Sequence, residues 1–438
     1  MKNNRKQILV LGGGFGGLEF VKNFDSSLAD VTLVDKQNHH LFQPLLYQVA
    51  TASLAAPDIA EPLRTQFSKN KNVRVLMDEV TGIDLNREWV TTPHQSLSYD
   101  YLVIAMGGRT NYFGNDDWAK HASGLKTLSD AHRIRNEVLG AFEMAENLAE
   151  DSEERRRLMT SVVVGGGPTG VEMAGTLSEL AHRYFKRDFR QIDPKQARVI
   201  LVDAADRILP MYSESLSRKA VKQLEELGVE VLTGQQVESI EARKVVLKNQ
   251  EIEAENIIWT AGVSANSITD NLDVDKAKGG RLKVLQDCSL PEYGNAFAIG
   301  DIAALEDADG QQVPGVAPAA MQMAKHVAKI IEEEIRRGSH GDREKERKAF
   351  VYKDKGQMAT IGRSRAVASV GGREFSGFPA WFAWLAIHLV MLVGMRNRFT
   401  VFTKWIYAYV RNKPGARIIW RTVPSKVKAK REKQGFVL

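Results

Sequence analysis

Short apolar runs that end in glycine recur along this chain. Ile8-Leu9-Val10-Leu11 meets Gly12, Tyr101-Leu102-Val103-Ile104-Ala105-Met106 meets Gly107, and Ser161-Val162-Val163-Val164 meets Gly165. Later, Ile257-Ile258-Trp259-Thr260-Ala261 reaches Gly262, and Ala296-Phe297-Ala298-Ile299 reaches Gly300-Asp301. Runs this short and this uniformly apolar predict strands buried on both faces, as in a parallel sheet. Helical stretches follow several of them. Leu18-Glu19-Phe20-Val21-Lys22 follows the first glycine cluster and Val171-Glu172-Met173-Ala174 the second. A further helix is predicted from Ser213, a capping residue, to Leu227, stopped by Gly228. Strands alternating with helices predict an α/β fold.

Two of the glycine clusters have a spacing that carries chemistry. Gly12, Gly14 and Gly17 occupy the positions of a G-x-G-x-x-G turn between strand and helix. The first glycine makes the tight turn, the second admits a pyrophosphate to the backbone, and the third lets helix and strand pack closely. The helix N-terminus faces the anion with its dipole. The next strand, Val31-Thr32-Leu33-Val34, ends at Asp35, placed to bond a ribose hydroxyl. A glycine-rich structural turn would explain the glycines alone, but not the ordered set of strand, turn, helix, strand and acid. Gly165, Gly167 and Gly170 repeat the pattern, and strand Arg198 to Val202 ends at Asp203. The interval exceeds the usual ~20 residues because Tyr184 to Lys195 adds a helix extension or loop. An acid at Asp203 disfavours the extra phosphate of NADP, whereas Arg207 nearby keeps that alternative open. Two dinucleotide sites in one chain imply that one dinucleotide reduces the other. The cofactors carry that redox step, so no acid–base triad is required.

The chain's 438 residues predict two or three domains, and 43% hydrophobic with 26% charged content is that of a globular protein. Net charge is +6, mild for this length. Cys288 is the single cysteine, which excludes a disulfide framework, a Cys-x-x-Cys redox pair and a thiolate metal site. Electrons must therefore pass through an organic cofactor. Met1 to Gln7 is short and polar and fits no cleavable signal peptide, so a cytoplasmic location is expected. Adjacent His39 and His40 point different ways and predict no metal pair, and His388, isolated among apolar residues, is given no role.

Taken together, the two turns and the Gly300-Asp301 strand resemble the two-dinucleotide-binding flavoprotein superfamily across roughly residues 7 to 345. Phe42 to Thr51 looks like the flavin-proximal segment of the type II NADH:quinone oxidoreductases. Gly167-Pro168-Thr169-Gly170-Val171-Glu172 resembles their nicotinamide-binding turn, and Val316 to Gln322 their quinone motif, Ala-Gln-x-Ala-x-Gln. The resemblance implies non-covalent FAD held by Gly12, Gly14, Phe15, Gly16, Gly17, Asp35, Lys36, Gln43, Thr51, Val80, Ala105, Gly107, Gly300, Asp301, Met321 and Gln322. It implies NADH on Gly165, Gly167, Pro168, Thr169, Gly170, Glu172, Asp203, Ala204, Ala261 and Gly262. Glu172 corresponds to an acid with a proton-transfer role near nicotinamide and quinone, and Gln322 to a quinone-site residue. Pro318 stands where the motif has its first glutamine and cannot donate a side-chain hydrogen bond to a quinone carbonyl. Two plainer readings stay open: Glu172 complements the helix dipole from the first turn, and Gln322 is an ordinary polar residue of an apolar helix.

Phe378 to Met395 is almost wholly apolar, but its 18 residues as a helix reach about 27 Å, short of a hydrocarbon core of about 30 Å. A spanning helix is disfavoured. Phe402, Trp405, Ile406 and Tyr409 fall on one helical face, with Lys404 and Arg411 on another. Arg417, Arg421, Lys426, Lys428, Lys430, Arg431 and Lys433 follow. Aromatics beside basic residues predict an interfacial helix on an anionic lipid surface; a dimer interface or a core helix with a solvated tail is the alternative. No recognition helix or stacking platform points to nucleic acid.

The expected architecture is thus α/β with two Rossmann-like domains and a C-terminal membrane-contact region. The FAD domain takes 1–112 and 285–345, the inserted NAD domain 113–284, and the anchoring or dimerisation region 346–438. The expected activity transfers two electrons from NADH through FAD to a membrane quinone, ubiquinone or menaquinone. No bundle of spanning helices is predicted, so no proton pumping is expected. The protein is expected to sit as a homodimer, peripheral or monotopic, on the cytoplasmic face of the cell membrane. Alternatives are NAD(P)H-dependent reduction of a soluble or protein acceptor, and a non-catalytic NADH-sensing flavoprotein. A sulfide:quinone oxidoreductase would need redox cysteines that the chain lacks.

Overall fold

A computed structural model describes residues 5–338, 347–411 and 415–420. By contacts the chain gathers into two compact units. The first draws on Met1–Leu41, Ala60–Arg109 and Val263–Lys355, the second on Phe42–Ile59, Thr110–Gly262 and Gly356–Leu438.

The first unit is built on a six-stranded sheet. Its strand order is Ser289–Leu290, Tyr293–Ala298, Tyr101–Ile104, Lys6–Leu11, Ala29–Asp35, Val73–Met77. All pairs are parallel except the edge hairpin 289–298. Its strands are apolar because both faces are covered; Val10, Leu11, Leu33, Val103 and Phe297 are fully buried. Helix Phe15–Asn23 packs on helix Ala317–Arg337, tied at the surface by Lys325 to Glu19 at 2.9 Å. Pro318 lies in the first turn of Ala317–Arg337, where its missing N–H costs nothing.

The second unit carries a five-stranded parallel sheet in the order Ser123–Gly124, Asn256–Trp259, Thr160–Val164, Arg198–Val202, Val229–Leu232. These strands all fall in sequence between Tyr101–Ile104 and Ser289–Leu290, so one Rossmann-like element set is inserted within the other. Helix Glu214–Glu225 is capped by Ser213, whose hydroxyl accepts the Leu216 N–H at 3.2 Å, and the chain turns out at Gly228, φ +89°. The predicted extension after the second helix is there too. Pro168–Glu179 continues through a wider turn, Leu180–Tyr184, into Phe185–Arg187.

This second unit also contains an antiparallel sheet, Gln357–Gly362, Arg365–Val370 and Arg373–Ser376, followed by helices Phe378–Met391 and Met395–Arg411. Helix Pro168–Glu179 lies directly on strand Gln357–Gly362; a side chain at Gly175 would collide with the Ile361 carbonyl. Segment Phe42–Ile59 packs here, and Leu282–Lys283 pairs with Ala303–Ala304 in the first unit. Contacts therefore divide the chain at other points than the sequence reading does.

The apolar run from Phe378 does not continue as one helix. It breaks after 14 residues, about 21 Å of helix, and Gly394 at φ +87° starts a new direction. Among the described residues no helix is long and apolar enough to cross a membrane.

Helix Met395–Arg411 also corrects the predicted face. Trp405 is buried and Tyr409 meets the Trp381 ring edge-on at 5.1 Å, whereas Phe402 and Ile406 are exposed. Core packing claims one side of the helix, and Phe399, Phe402, Ile406 and Val410 form a separate outward stripe. Lys404 does not face outward with Arg411: it is held by Asp58 at 2.6 Å. Arg421, Lys426, Lys428, Lys430, Arg431 and Lys433 lie outside the described residues.

Candidate functional site

In the first unit the sheet register aligns the carboxyl ends of its central strands. Leu11 pairs with Val34 and with Ile104, and Ile104 with Ala298. The residues that follow are brought together at one edge: the Gly12 turn, Asp35, Ala105 and Gly300-Asp301. Gly12 turns at φ +99°, where a side chain would strike the Ala105 carbonyl, and a side chain at Gly17 would fall on the Gly12 carbonyl. Only glycine satisfies both demands. Gly14 caps helix Phe15–Asn23 with no side-chain hydrogen bond, and the space where its side chain would stand is open. First-turn N–H groups left uncapped beside open space fit a pyrophosphate.

Asp35 has a second task that the sequence did not reveal. Its carboxylate accepts the Gly13 and Gln37 N–H groups, both at 2.6 Å, and so clamps the turn; burial raises its pKa against these bonds. His40 bonds the Gly13 carbonyl through Nδ1 at 3.0 Å, lies edge-on to Phe15 at 5.1 Å, and is held neutral by burial, its pKa lowered to about 4. Gly16 packs on Ile299, Gly107 (φ +64°) borders open space, Gly300 meets Ala320, Val80 is buried and Lys36 is exposed. Asp301 stands beside Gly315. Met321 is half-buried on helix Ala317–Arg337. Gln322 spends its amide on the Lys353 backbone, donating to the carbonyl and accepting from the N–H, each at 3.0 Å.

The second unit repeats this construction. Gly165 turns at φ +112° against the Ala261 backbone, and a side chain at Gly170 would fall on the Gly165 carbonyl. Gly167 caps helix Pro168–Glu179 without a side-chain bond, beside open space, with Thr169 exposed. Asp203 clamps the turn by accepting the Gly166 N–H, and takes the Ala205 N–H at 2.7 Å, beside exposed Ala204. Gly262, φ +75°, lies against the Phe113 ring. Arg207 does not reach out for a phosphate. Its guanidinium donates to the Tyr212 and Pro210 carbonyls at 3.1 and 2.9 Å.

Glu172 is the fifth residue of helix Pro168–Glu179, and the first turn carries no acid, so it is not a simple dipole partner. It is buried, and burial pushes its carboxyl up to about 8; the Thr360 N–H, 3.4 Å from Oε1, and the nearby Trp384 indole pull the other way. Trp384 Nε1 is itself buried, without a partner at bonding geometry among the described residues. Around this acid stand Tyr47, 6.4 Å from Trp384 between ring centres, and His388, stacked on Trp384 at 4.0 Å and kept neutral with its pKa lowered to about 4 by burial. Gln48 links the wall, donating to the Tyr47 hydroxyl at 3.0 Å and accepting the Trp405 Nε1–H at 2.8 Å. Thr51 bonds the Tyr47 carbonyl at 2.9 Å, and Gln43 the Lys126 carbonyl at 3.2 Å. A protonated carboxyl in an aromatic enclosure can give or take a proton near neutral pH.

Residues 6–324 match the family described as pyridine nucleotide-disulphide oxidoreductase, and residues 355–412 the NDH2 C-terminal domain. The type II NADH:quinone oxidoreductase Ndh of Mycobacterium tuberculosis is 42% identical over 424 residues, 94% of this chain and 89% of that protein. The chain belongs to the type II NADH:quinone oxidoreductases. A second such enzyme of the same organism, NdhA, is 41% identical over 95% of this chain and 89% of its own length. The fold matches the structure of NDH2 from Plasmodium falciparum in complex with NADH, with TM-score 0.86 at 22% identity, covering 94% of this chain and 99% of that one. As a type II NADH:quinone oxidoreductase this chain has no dithiol to use, because its one cysteine, Cys288, is buried and burial pushes its thiol pKa well up.

Sequence reasoning named Tyr47 and Gln48 only as part of the flavin-proximal stretch, Trp384 only as part of the apolar run and Trp405 only as an interfacial aromatic, and gave none of them a place beside Glu172. Nothing in the linear pattern sets these four positions against that acid. Only the pairing of the Phe42–Ile59 segment with the C-terminal helices gathers them.

Proposed function

We propose that this protein oxidises NADH and reduces a membrane quinone through non-covalent FAD, without pumping protons, from the cytoplasmic face of the membrane and as a homodimer. The observation that carries the reading is the duplicated turn: Gly13 clamped by Asp35 and Gly166 clamped by Asp203. Each offers uncapped helix N–H groups to a pyrophosphate. FAD belongs on the Gly12–Gly17 turn with Asp35, Lys36, Ala105, Gly300 and Asp301. NADH belongs on the Gly165–Gly170 turn with Asp203, Ala261 and Gly262. When bound, the flavin supplies two-electron transfer between nicotinamide and quinone. The residues do the rest: each turn orients its own dinucleotide, and Glu172 holds one of the protons that quinone reduction consumes.

NADH is preferred over NADPH, because Asp203 is acidic and Arg207 is spent on carbonyls. The outward stripe Phe399, Phe402, Ile406 and Val410 favours a membrane acceptor over a soluble one. Steady-state oxidation of NADH and NADPH with a series of quinone analogues tests the whole reading. NADH turnover with lipid-soluble quinones and anaerobic bleaching of a flavin band are expected. A colourless protein that takes up no flavin would overturn it.

A further inference from the structure

Within the second unit lies a cavity of about 300 Å³, lined among others by Ser53, Arg135, Lys404, Tyr407, Ala416 and Trp420. None of these residues belongs to either dinucleotide turn. Arg135, on helix Leu128–Ala145, is 4% exposed, and its Nε and Nη2 are buried with no hydrogen-bond partner among the described residues. A guanidinium keeps its charge, so a buried one without an acceptor is an uncompensated cation. Its neighbours do not neutralise it. Lys404 and Asp58 pair with each other, at 2.6 and 2.8 Å, and Asp58 takes the Ala55 N–H at 2.7 Å as well. His132, a turn away, has its pKa lowered by burial and then by the charge of Arg135 itself.

The rim differs from the floor. Tyr407, Ile418 and Trp420 line the cavity and are exposed, and Tyr407 follows Ile406 of the outward stripe on helix Met395–Arg411. The Ala416 N–H donates to the Ala52 carbonyl at 3.1 Å, which fastens the segment carrying Ile418 and Trp420 at one wall. A ligand matching this surface has one negative charge for the guanidinium and an apolar body at the mouth.

We propose that this cavity binds a phosphate group on the Arg135 guanidinium, and that the phosphate is the headgroup diester of an anionic phospholipid. A phosphodiester's single charge matches the one cavity-lining cation that has no ion pair among the described residues. The lipid source rests on the membrane-contact reading above; the phosphate site does not.

The test uses the full-length, flavin-loaded protein and dihexanoyl phosphatidylglycerol below its micelle concentration. Binding is followed by calorimetry and by the rise in Tm, with inorganic phosphate and dihexanoyl phosphatidylcholine alongside. Saturable binding of phosphatidylglycerol is expected, weakened at least tenfold by Arg135→Gln and unchanged by Arg411→Gln, an exposed cation of the outer helix. Arg135→Lys keeps the charge without the guanidinium and should fall between; it also serves if Arg135→Gln does not fold. Inorganic phosphate binding as tightly as the lipid overturns the lipid source while leaving the phosphate site. Equal binding by wild type and both Arg135 variants overturns the site itself. So does displacement of the bound lipid by a soluble quinone analogue, which would make the cavity part of the quinone path. If vesicle flotation fails for wild type while Arg135-dependent binding of the short lipid persists, the membrane reading falls and the site stands.

Discussion

The Thr360 N–H points at Glu172 Oε1 across 3.4 Å, joining the helix of the second glycine turn to the antiparallel sheet of the C-terminal region. This is a weak bond, too long to offset what burial does to the carboxyl. Glu172 therefore keeps its proton well above the ordinary carboxylate range, up to about pH 8.

That shift has a definite sign. A carboxyl whose folded pKa is raised binds more protons folded than unfolded, so ionising it between about pH 5 and 8 destabilises the protein. Glu172→Gln should abolish this loss and be the more stable form at pH 8, by roughly 1–4 kcal/mol. Denaturant titrations of both proteins at pH 5 and pH 8 check it; parallel pH dependence would show that Glu172 is not buried as described.

The same variant should separate the two half-reactions. With no proton to exchange at residue 172, quinone turnover is expected to drop by roughly 10²–10³, while anaerobic bleaching by NADH stays within a few fold. Stopped-flow absorbance and steady-state quinone assays measure the two. Equal losses in both would assign Glu172 to nicotinamide binding alone.

Gly17→Ala and Gly170→Ala place a methyl on the Gly12 and Gly165 carbonyls respectively. Each should ruin one turn and spare the other. Gly17→Ala is expected to purify without flavin. Gly170→Ala should retain flavin and bind NADH at least about tenfold more weakly, a loss of about 1.4 kcal/mol or more. Flavin absorbance and NADH titration decide between this pattern and a general folding defect, in which both ligands would be lost from both variants.

Asp203→Ala removes the acid that disfavours a 2′-phosphate and releases the Gly166 N–H. NADH use should weaken and the NADH-to-NADPH ratio of kcat/KM should fall about tenfold, near 1.4 kcal/mol. An unchanged ratio would place discrimination elsewhere, with Arg207 excluded only while it remains bonded to Pro210 and Tyr212.

Trp405→Phe keeps the ring but strands the buried Gln48 Oε1. An unsatisfied buried acceptor costs about 1–3 kcal/mol, so a lower Tm is expected, together with weaker quinone reduction as Gln48 and Tyr47 loosen. By contrast, replacing Phe399, Phe402 and Ile406 with Ser touches an exposed stripe. Stability should hold while flotation with anionic vesicles is lost and soluble-dye reduction persists. Unimpaired flotation would show that this stripe does not meet lipid.

The chain alone determined both dinucleotide turns, the inserted α/β plan and the family. Those features rest on short-range sterics: a glycine forced to positive φ, a helix starting where the strand stops, an acid at the end of the next strand. Tertiary structure decided everything that depends on which distant segments share an interior. It set Glu172 one turn deeper than its place in the motif suggested and so raised its pKa. It spent Arg207 on carbonyls, turned Lys404 inward to Asp58, and split the aromatics of Met395–Arg411 between core and surface. Such outcomes follow from burial and pairing, and a linear pattern of apolar and polar positions does not encode who the partner will be.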